Sequence, residues 1–325
     1  MVQSENILKV ESLYVSYDNV NIVRNVSFDL KKQEFLGIVG ESGCGKTTLL
    51  RALVMLKRRG NSIKGKLLFQ GEDLTSFREE KLRALRGGEI SMIPQNASAA
   101  MDGTKTISSF FHETIQMHSS QKVARKDSDR LASELMKKLL LQDTERILKS
   151  YPFELSGGMC QRVMIAASML NSPKLILGDE PTSALDVTSQ LQVIRELELL
   201  KKEYDISMIM ISHNLGVISR IADTIAIMYG GRMVEYGTHD DIMKHPVHPY
   251  TKALLAAVPD SEGNISKGLP GLPPVFEEEM SSCPFAPRCA YCQKQCEAQL
   301  PEDVVLGGGH RVQCFRAKEL QNGTA

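Results

Sequence analysis

Apolar and polar positions alternate through residues 7–17 (ILKVESLYVSY) and 20–30 (VNIVRNVSFDL), which predicts two strands joined by a turn at Asp18-Asn19. Short apolar runs predict buried strands at EFLGIVG (34–40), KLILGDE (174–180) and ISMIMISH (206–213). KGKLLFQGEDL (64–74) reads as a strand with a turn at Gly71, and EISMIPQ (89–95) as a strand ending at Gln95. TIAIMYGGRMVEYG (224–237) predicts a hairpin turning at Gly230-Gly231. From Thr104 to Lys149 the pattern changes. Leu131, Leu135 and Leu139 recur at helical spacing among many charges, so this stretch is expected to be an inserted helical subdomain of about residues 97–165. Ser156 is a good N-cap for a helix through LSGGMCQRVMIAASML (155–170). After Gly237 come a short helix in HPYTKALLAAVP (248–259), a linker rich in proline and glycine (GLPGLPPV, 268–275) and a cysteine-rich tail. Strands alternating with helices predict a mainly parallel sheet covered on both faces.

Composition sets outer limits. The 325 residues suffice for two or three domains, and 42% hydrophobic with 24% charged residues fits a folded chain. Lys plus Arg equals Asp plus Glu at 39 each, so nothing suggests nonspecific nucleic-acid binding. The N-terminus MVQSENILKV lacks the pattern of a signal peptide. Apolar runs such as FLGIVG and MIMIS are too short to cross a bilayer, so work at a membrane is expected to go through a partner. Five of the seven cysteines lie after residue 282. In a reducing cytosol that clustering favours metal ligation over disulfides.

Candidate chemistry concentrates at sheet edges. GESGCGKTT (40–48) matches G-x-x-x-x-G-K-[ST] between a predicted strand and helix. Gly40, Gly43 and Gly45 let backbone N–H groups close around phosphate oxygens, with Ser42 in the same loop, and the helix N-terminus adds a positive dipole end. Lys46 is expected at the β- and γ-phosphates, with Thr47 supplying a hydroxyl to Mg²⁺ and Thr48 beside it. LILGDE ends a buried strand in two carboxylates, where open α/β sheets bind ligands. Asp179 is expected to hold Mg²⁺ and Glu180 to polarise the attacking water. His213 is placed to touch the γ-phosphate and position that water, and Gln95 to contact Mg²⁺ or water.

GESGCGKTT, Gln95, LSGGMCQR (155–162), LILGDE, SALD (183–186) and His213, in that order, closely resemble the nucleotide-binding subunit of ATP-binding cassette (ABC) transporters over residues 7 to about 240. The resemblance implies an α/β P-loop NTPase with a RecA-like parallel-sheet core, an antiparallel β subdomain and a helical insert, plus a small C-terminal cysteine-rich extension. The expected domains are residues 1–240 and 241–325. It also implies a head-to-tail dimer with two ATPs, each meeting one cassette's phosphate loop and the other's Ser156, Gly157 and Gly158, with Asp186 at the seam. Tyr17 resembles the residue that stacks on adenine. HPVHPYTKALLAAVP followed by CPFAPRC is similar to the C-terminal extension of dipeptide, oligopeptide and nickel import ATPases. That likeness implies a first ATPase subunit paired with a second homologous one, two membrane permeases and an extracytoplasmic binding protein. Its place would be the cytoplasmic face of a bacterial or archaeal membrane, energising peptide import or, alternatively, nickel import. More distant alternatives are a non-transport ABC ATPase and a redox sensor. Two departures stand out: Gly178 replaces a usual alanine, and NASAAMDGTKT (96–106) lacks the usual P-x-x-x-L-N-P character.

The tail thiols are spaced Cys283-x5-Cys289-x2-Cys292-x3-Cys296-x17-Cys314. Four thiolates suit a [4Fe–4S] cluster or a structural zinc. The run is not that of bacterial ferredoxins, and only Cys289–Cys292 has a zinc-knuckle spacing. The family resemblance assigns Cys283, Cys289, Cys296 and Cys314 to [4Fe–4S], leaving Cys292 as an extra thiol. A structural role is expected, because the tail has too few large apolar side chains to build a core alone.

Overall fold

The computed structural model describes residues 6–57, 60–183, 185–257, 269, 271–276 and 280–323. The last two residues of the expected helix 248–259 and parts of the 268–275 linker therefore lie outside the described residues, as do Ala184 of SALD and the first five residues. The strands are β1 (Asn6–Tyr17), β2 (Val20–Lys31), β3 (Phe35–Val39), β4 (Asn61–Phe69), β5 (Glu72–Asp73) and β6 (Ile90–Ile93), then β7 (Leu175–Asp179), β8 (Ser207–Ser212), β9 (Thr224–Tyr229), β10 (Arg232–Thr238), β11 (Asp303–Gly307) and β12 (His310–Gln313). The chain forms two compact units, Met1–Thr75 with Ile211–Ala325, and Ser76–Met210.

In the first unit, β1 pairs antiparallel with both β2 and β4. The expected turn is present, with φ 46° at Asp18 and 69° at Asn19, left-handed values that a tight hairpin needs and Asp and Asn tolerate. Leu8, Val10, Leu13 and Val15 are buried, as are Val23, Val26, Phe28 and Leu30 of the partner strand. This is the expected antiparallel subdomain, closed by β5 in the order β2-β1-β4-β5.

The unit's other strands run β11-β12-β10-β9-β3. Here the expected mainly parallel sheet is corrected to a mixed one. β3 and β9 are parallel, but β9 returns through Gly230-Gly231 (φ 54° and 78°) into an antiparallel β10. A two-residue turn cannot make a parallel connection. The tail then adds the hairpin β11–β12, with β12 antiparallel to β10, an element the sequence pattern did not reveal. The tail also builds its core on residues far upstream. Val312, Ala317 and Leu320 pack with Val247, flanked by Tyr291, Val304, Leu306 and Cys314. Phe285 inserts among Tyr229, Tyr250 and His248, at ring-centroid distances of 5.2, 5.4 and 5.8 Å.

Glu235 of β10 holds this arrangement from within. It is fully buried, and accepts hydrogen bonds from the Val247 N–H (2.8 Å) and the His248 N–H (3.0 Å) and pairs with His310 Nε2 (2.8 Å). A buried carboxylate persists only with such compensation.

In the second unit β6 and β7 are parallel, with Ile90 opposite Leu175 and Ile93 opposite Gly178, and β8 enters beside β7. Every regular element between Thr104 and Lys149 is helical, as expected: Ile107–Gln116, Arg125–Lys138 and Thr144–Lys149. The buried face of Arg125–Lys138 comprises Ser128, Ala132, Leu135 and Met136, and Leu139 is buried just beyond. Leu131, expected on that face, is 36% exposed. A fourfold step turns through more than a full helical turn, so a strict i, i+4 stripe drifts around the helix and the packed face shifts to Ala132 and Met136.

Candidate functional site

Strand β3 delivers the chain into the loop Gly40–Gly45, and helix Lys46–Leu53 leaves it. The loop packs tightly on its inner side. A Cβ on Gly40 would lie 2.1 Å from the Met228 carbonyl oxygen, and one on Gly45 (φ 103°) would lie 2.8 Å from that of Ile22. Gly43 is the opposite case: φ is 80° and nothing lies within 4 Å of its Cβ position, so its outer side is an open cradle. Ser42 and Gly43 are exposed, whereas Thr47 and Thr48 are half-buried in the first helical turn. Lys46 is buried and folds over the loop, its Nζ donating to the carbonyls of Gly40 (2.8 Å) and Glu41 (2.9 Å). An open glycine loop, a helix N-terminus and an ammonium group inside it fit the phosphates of a nucleotide. Tyr17 ends β1 half-buried, opposite Val20 and Asn61.

β7 ends at Asp179, which is buried, and Glu180 follows in the left-handed region at φ 45°, half-buried. Gln95, just beyond β6, donates from Nε2 to Glu180 Oε2 at 3.4 Å. The parallel pairing of β6 with β7 thus brings together two residues that the sequence identified separately. Gly178 has a local reason: a Cβ there would lie 3.2 Å from Pro181 Cγ and 3.4 Å from Met210 Cγ. His213 is exposed immediately after β8, before Asn214 caps helix Leu215–Ile218.

Ser156 caps helix Gly157–Met169, its side chain accepting from the Met159 N–H at 3.3 Å. Asp186 precedes helix Val187–Tyr204 and accepts from the Ser189 N–H (3.0 Å) and Oγ–H (2.7 Å). The two helices are tied by Arg162, whose Nε lies 3.1 Å from each carboxylate oxygen of Glu196. Burial raises the Glu196 carboxyl above its ordinary range, and Arg162 opposes that shift.

All seven cysteines are free thiols. The Cys283 N–H donates to the Cys296 carbonyl at 2.9 Å. Burial pushes the thiols of Cys283 and Cys314 up to about 11, and neighbouring thiols add to the rise: Cys296 and Cys289 for the first, Cys283, Cys289 and Cys296 for the second. Cys292 stands beside Cys296. The four thiols expected as ligands thus sense one another's charge, and soft donors of this kind are what iron–sulfur and zinc sites use. Among the described residues, however, no three His, Cys, Asp or Glu side chains come together as a site for a single metal ion.

The sequence pattern missed the residues that grip the phosphate loop from behind. Arg288, on the turn Ala286–Arg288, makes a two-pronged ion pair with Glu41: Nη1 to Oε2 is 2.7 Å and Nη2 to Oε1 is 3.0 Å. Arg288 Nη1 also donates to the Tyr229 hydroxyl at 3.2 Å, and the Glu41 N–H donates to the Tyr250 hydroxyl at 2.9 Å. Such partners are separated by 247 and 209 positions, so no local pattern announces them.

Comparison with known proteins agrees with these motifs. The family described as ABC transporter matches residues 23–183, and the oligopeptide/dipeptide transporter C-terminal region matches residues 234–296. The chain is 37% identical over 321 residues to the dipeptide transport ATP-binding protein DppD of Bacillus subtilis, covering 96% of this chain and 95% of that protein. It is 36% identical over 323 residues to the oligopeptide transport ATP-binding protein OppD of Escherichia coli, covering 98% and 95% respectively. Among solved structures, a dimeric ATP-binding cassette in a post-hydrolysis state bound to ADP and Pi superposes with a TM-score of 0.65 at 23% identity, covering 71% of this chain and 98% of that one, which shows the cassette fold. With relatives matched over nearly their whole length, the chain belongs to the dipeptide/oligopeptide family of ABC ATP-binding proteins and is an ATPase of that type.

Proposed function

We propose that this protein hydrolyses ATP to drive uptake of di- and oligopeptides through a membrane importer. The observation that carries the reading is the open, lysine-filled glycine loop in a chain matching peptide-transport ATP-binding proteins over 96% of its length. The relatives above are peptide proteins, so peptide is preferred to nickel as cargo.

In this reading Gly40, Ser42, Gly43, Gly45, Lys46, Thr47 and Thr48 hold the phosphates, and Tyr17 stacks on adenine. Lys46 exchanges its two carbonyl partners for phosphate oxygens. Thr47, Gln95 and Asp179 hold Mg²⁺, which offsets the charge on the phosphates when bound. Glu180 takes the proton from the attacking water, Gln95 limits its rotation, and His213 orients the water against the γ-phosphate. Ser156, Gly157 and Gly158 complete the site of a second, homologous ATPase subunit, and Asp186 faces that subunit.

No helix among the described residues is long and apolar enough to cross a membrane. In this reading coupling passes to two permeases at the cytoplasmic face, fed by an external binding protein. The helical segment is the docking surface in this reading. Met117 (80% exposed) and Phe153 (74%), with Tyr151 stacked on Phe153 at 5.5 Å, are apolar groups that a partner would cover. The reading keeps a nucleotide-binding domain at 1–240, with its insert at about 97–165, and an extension at 241–325. There Cys283, Cys289, Cys296 and Cys314 hold a [4Fe–4S] cluster as a structural staple. Thiols of high proton affinity would bind such a cluster as thiolates and lose their protons to solvent.

The test is reconstitution with the permeases, sister ATPase and binding protein into proteoliposomes. ATP-dependent accumulation of labelled peptide, abolished by Lys46→Ala, is expected. Hydrolysis without peptide uptake would reject the cargo, and absence of hydrolysis would reject the whole reading. Iron and sulfide assays on anaerobically purified protein test the staple; zinc at one per chain without sulfide would replace it.

A further inference from the structure

We propose that Arg288 is a positioning residue for ATP. It clamps the carboxylate of Glu41 away from the phosphate site, and so makes nucleotide affinity depend on the docked cysteine-rich tail. The inference rests on the phosphate-loop reading above.

Glu41 is an awkward residue for its position. It immediately follows Gly40 in a loop whose amides would face a polyanion, and a free carboxylate there repels phosphate and competes for Lys46. The structure answers both problems from the tail side. Arg288 meets the carboxylate with two charge-assisted hydrogen bonds in the fork geometry that only guanidinium supplies. The pair is well shielded, with the Arg288 side chain 5% exposed and that of Glu41 23% exposed. The loop's backbone is fixed at the same residue, through the Glu41 N–H to the Tyr250 hydroxyl and the Glu41 carbonyl to Lys46.

The clamp has a rigid mount. Arg288 ends a turn whose preceding residue, Phe285, is buried edge-on against Tyr229 (88° between rings), and Tyr229 itself contacts Tyr250 at 4.5 Å. The guanidinium carbon of Arg288 lies 5.8 Å from the Tyr229 ring centroid, and the Tyr229 hydroxyl oxygen accepts a hydrogen bond from Arg288 Nη1. Tail, tyrosine pair and loop therefore form one connected network within the first unit. If the tail lifts, Glu41 loses its counter-charge.

The two roles Arg288 could play separate in a mutant cycle on the full-length chain. Affinity for MgATP is measured by displacement of a fluorescent ATP analogue, with melting temperature recorded for every variant. Arg288→Gln is expected to weaken ATP binding about tenfold, the order expected for losing a charge-assisted pair. Adding Glu41→Gln to it should restore most of that affinity, because the uncompensated carboxylate is gone. A merely structural arginine predicts no rescue. In the assembled transporter, Arg288→Gln should raise KM for ATP while kcat stays nearly constant.

Wild-type affinity in Arg288→Gln, or a double variant as weak as the single, overturns the proposal. If Arg288→Gln does not fold, Arg288→Lys decides: it keeps the charge but not the fork, so about threefold weaker binding is expected, and wild-type binding overturns the clamp. The two readings fail differently. Wild-type protein that does not bind ATP, or Lys46→Ala that binds it unchanged, overturns the phosphate-loop assignment itself.

Discussion

Single side chains carry the sharpest predictions. Glu180, proposed as the base, accepts a hydrogen bond from Gln95 Nε2 at 3.4 Å. Glu180→Gln is expected to slow ATP turnover roughly 10²–10⁴-fold, or ~3–5 kcal/mol of barrier, while nucleotide still binds. Steady-state phosphate release beside a binding titration checks it, and near-normal turnover removes Glu180 from the mechanism. His248 carries a pH prediction. Burial lowers it to about 4 from 6.5, with Glu235 and a Gln313 backbone contact opposing the shift. Its Nδ1 accepts from the Tyr250 N–H at 3.1 Å, a bond that protonation would turn into two facing donors. A depressed histidine favours the folded state fully above its unfolded value near 6.5, and that contribution is lost as pH falls toward 4, because the unfolded chain takes the proton first. Melting temperature should therefore drop between pH 7 and 5, and His248→Gln should flatten the drop; equal slopes would refute it. At this scale Lys46 and Gly43 were legible because the loop motif is local, whereas the role of Arg288 depends on Glu41, 247 positions away, and that of His248 on a burial that only packing creates.

At the scale of elements, caps and inter-helix ties decide which helices stay in place. Ser156→Ala removes the acceptor for the Met159 N–H and is expected to cost about 1 kcal/mol of stability, read as a lower denaturation midpoint. The effect on ATP hydrolysis in the two-subunit assembly should exceed that, since Ser156 is also proposed to face the sister subunit's nucleotide. Glu196 and Arg162 join two helices in a buried pair, their side chains 2% and 14% exposed. Glu196→Ala strands the arginine and is expected to destabilise by about 3 kcal/mol, whereas Lys202→Ala, which loses only an exposed pair with Glu198, should be nearly neutral. Comparable melting shifts for the two would contradict this ranking. The helices of 104–149 and the cap at Ser156 were visible in the sequence because periodicity and capping are short-range. The rotation that exposes Leu131 was not, because it depends on which face its neighbours cover.

Across the molecule, the tail behaves as part of the unit on which it docks. Removing residues 281–325 would strip Phe285 from Tyr229 and Tyr250, deprive buried Glu235 of His310, and leave β10 without its partner β12. Burial of one phenylalanine alone is worth roughly 1.5–3 kcal/mol, and an unpaired strand edge invites aggregation. The truncated chain should be recovered mainly as aggregate, or melt well below the full chain. A soluble, monomeric truncate with an unchanged melting temperature would show the tail to be an appendage.

By itself the sequence determined the phosphate loop, the carboxylates at the end of β7, the helix cap at Ser156 and the thiol set, because each is a run of residues whose chemistry and spacing act within a few positions. Tertiary structure alone decided that the sheet is mixed, that Gln95 lies against Glu180, and that the tail reaches the phosphate loop through Arg288 and Glu41. Strand direction, a hydrogen bond between two strand ends and a distant ion pair depend on how far-apart segments pack, and such pairing leaves no periodic trace along the chain.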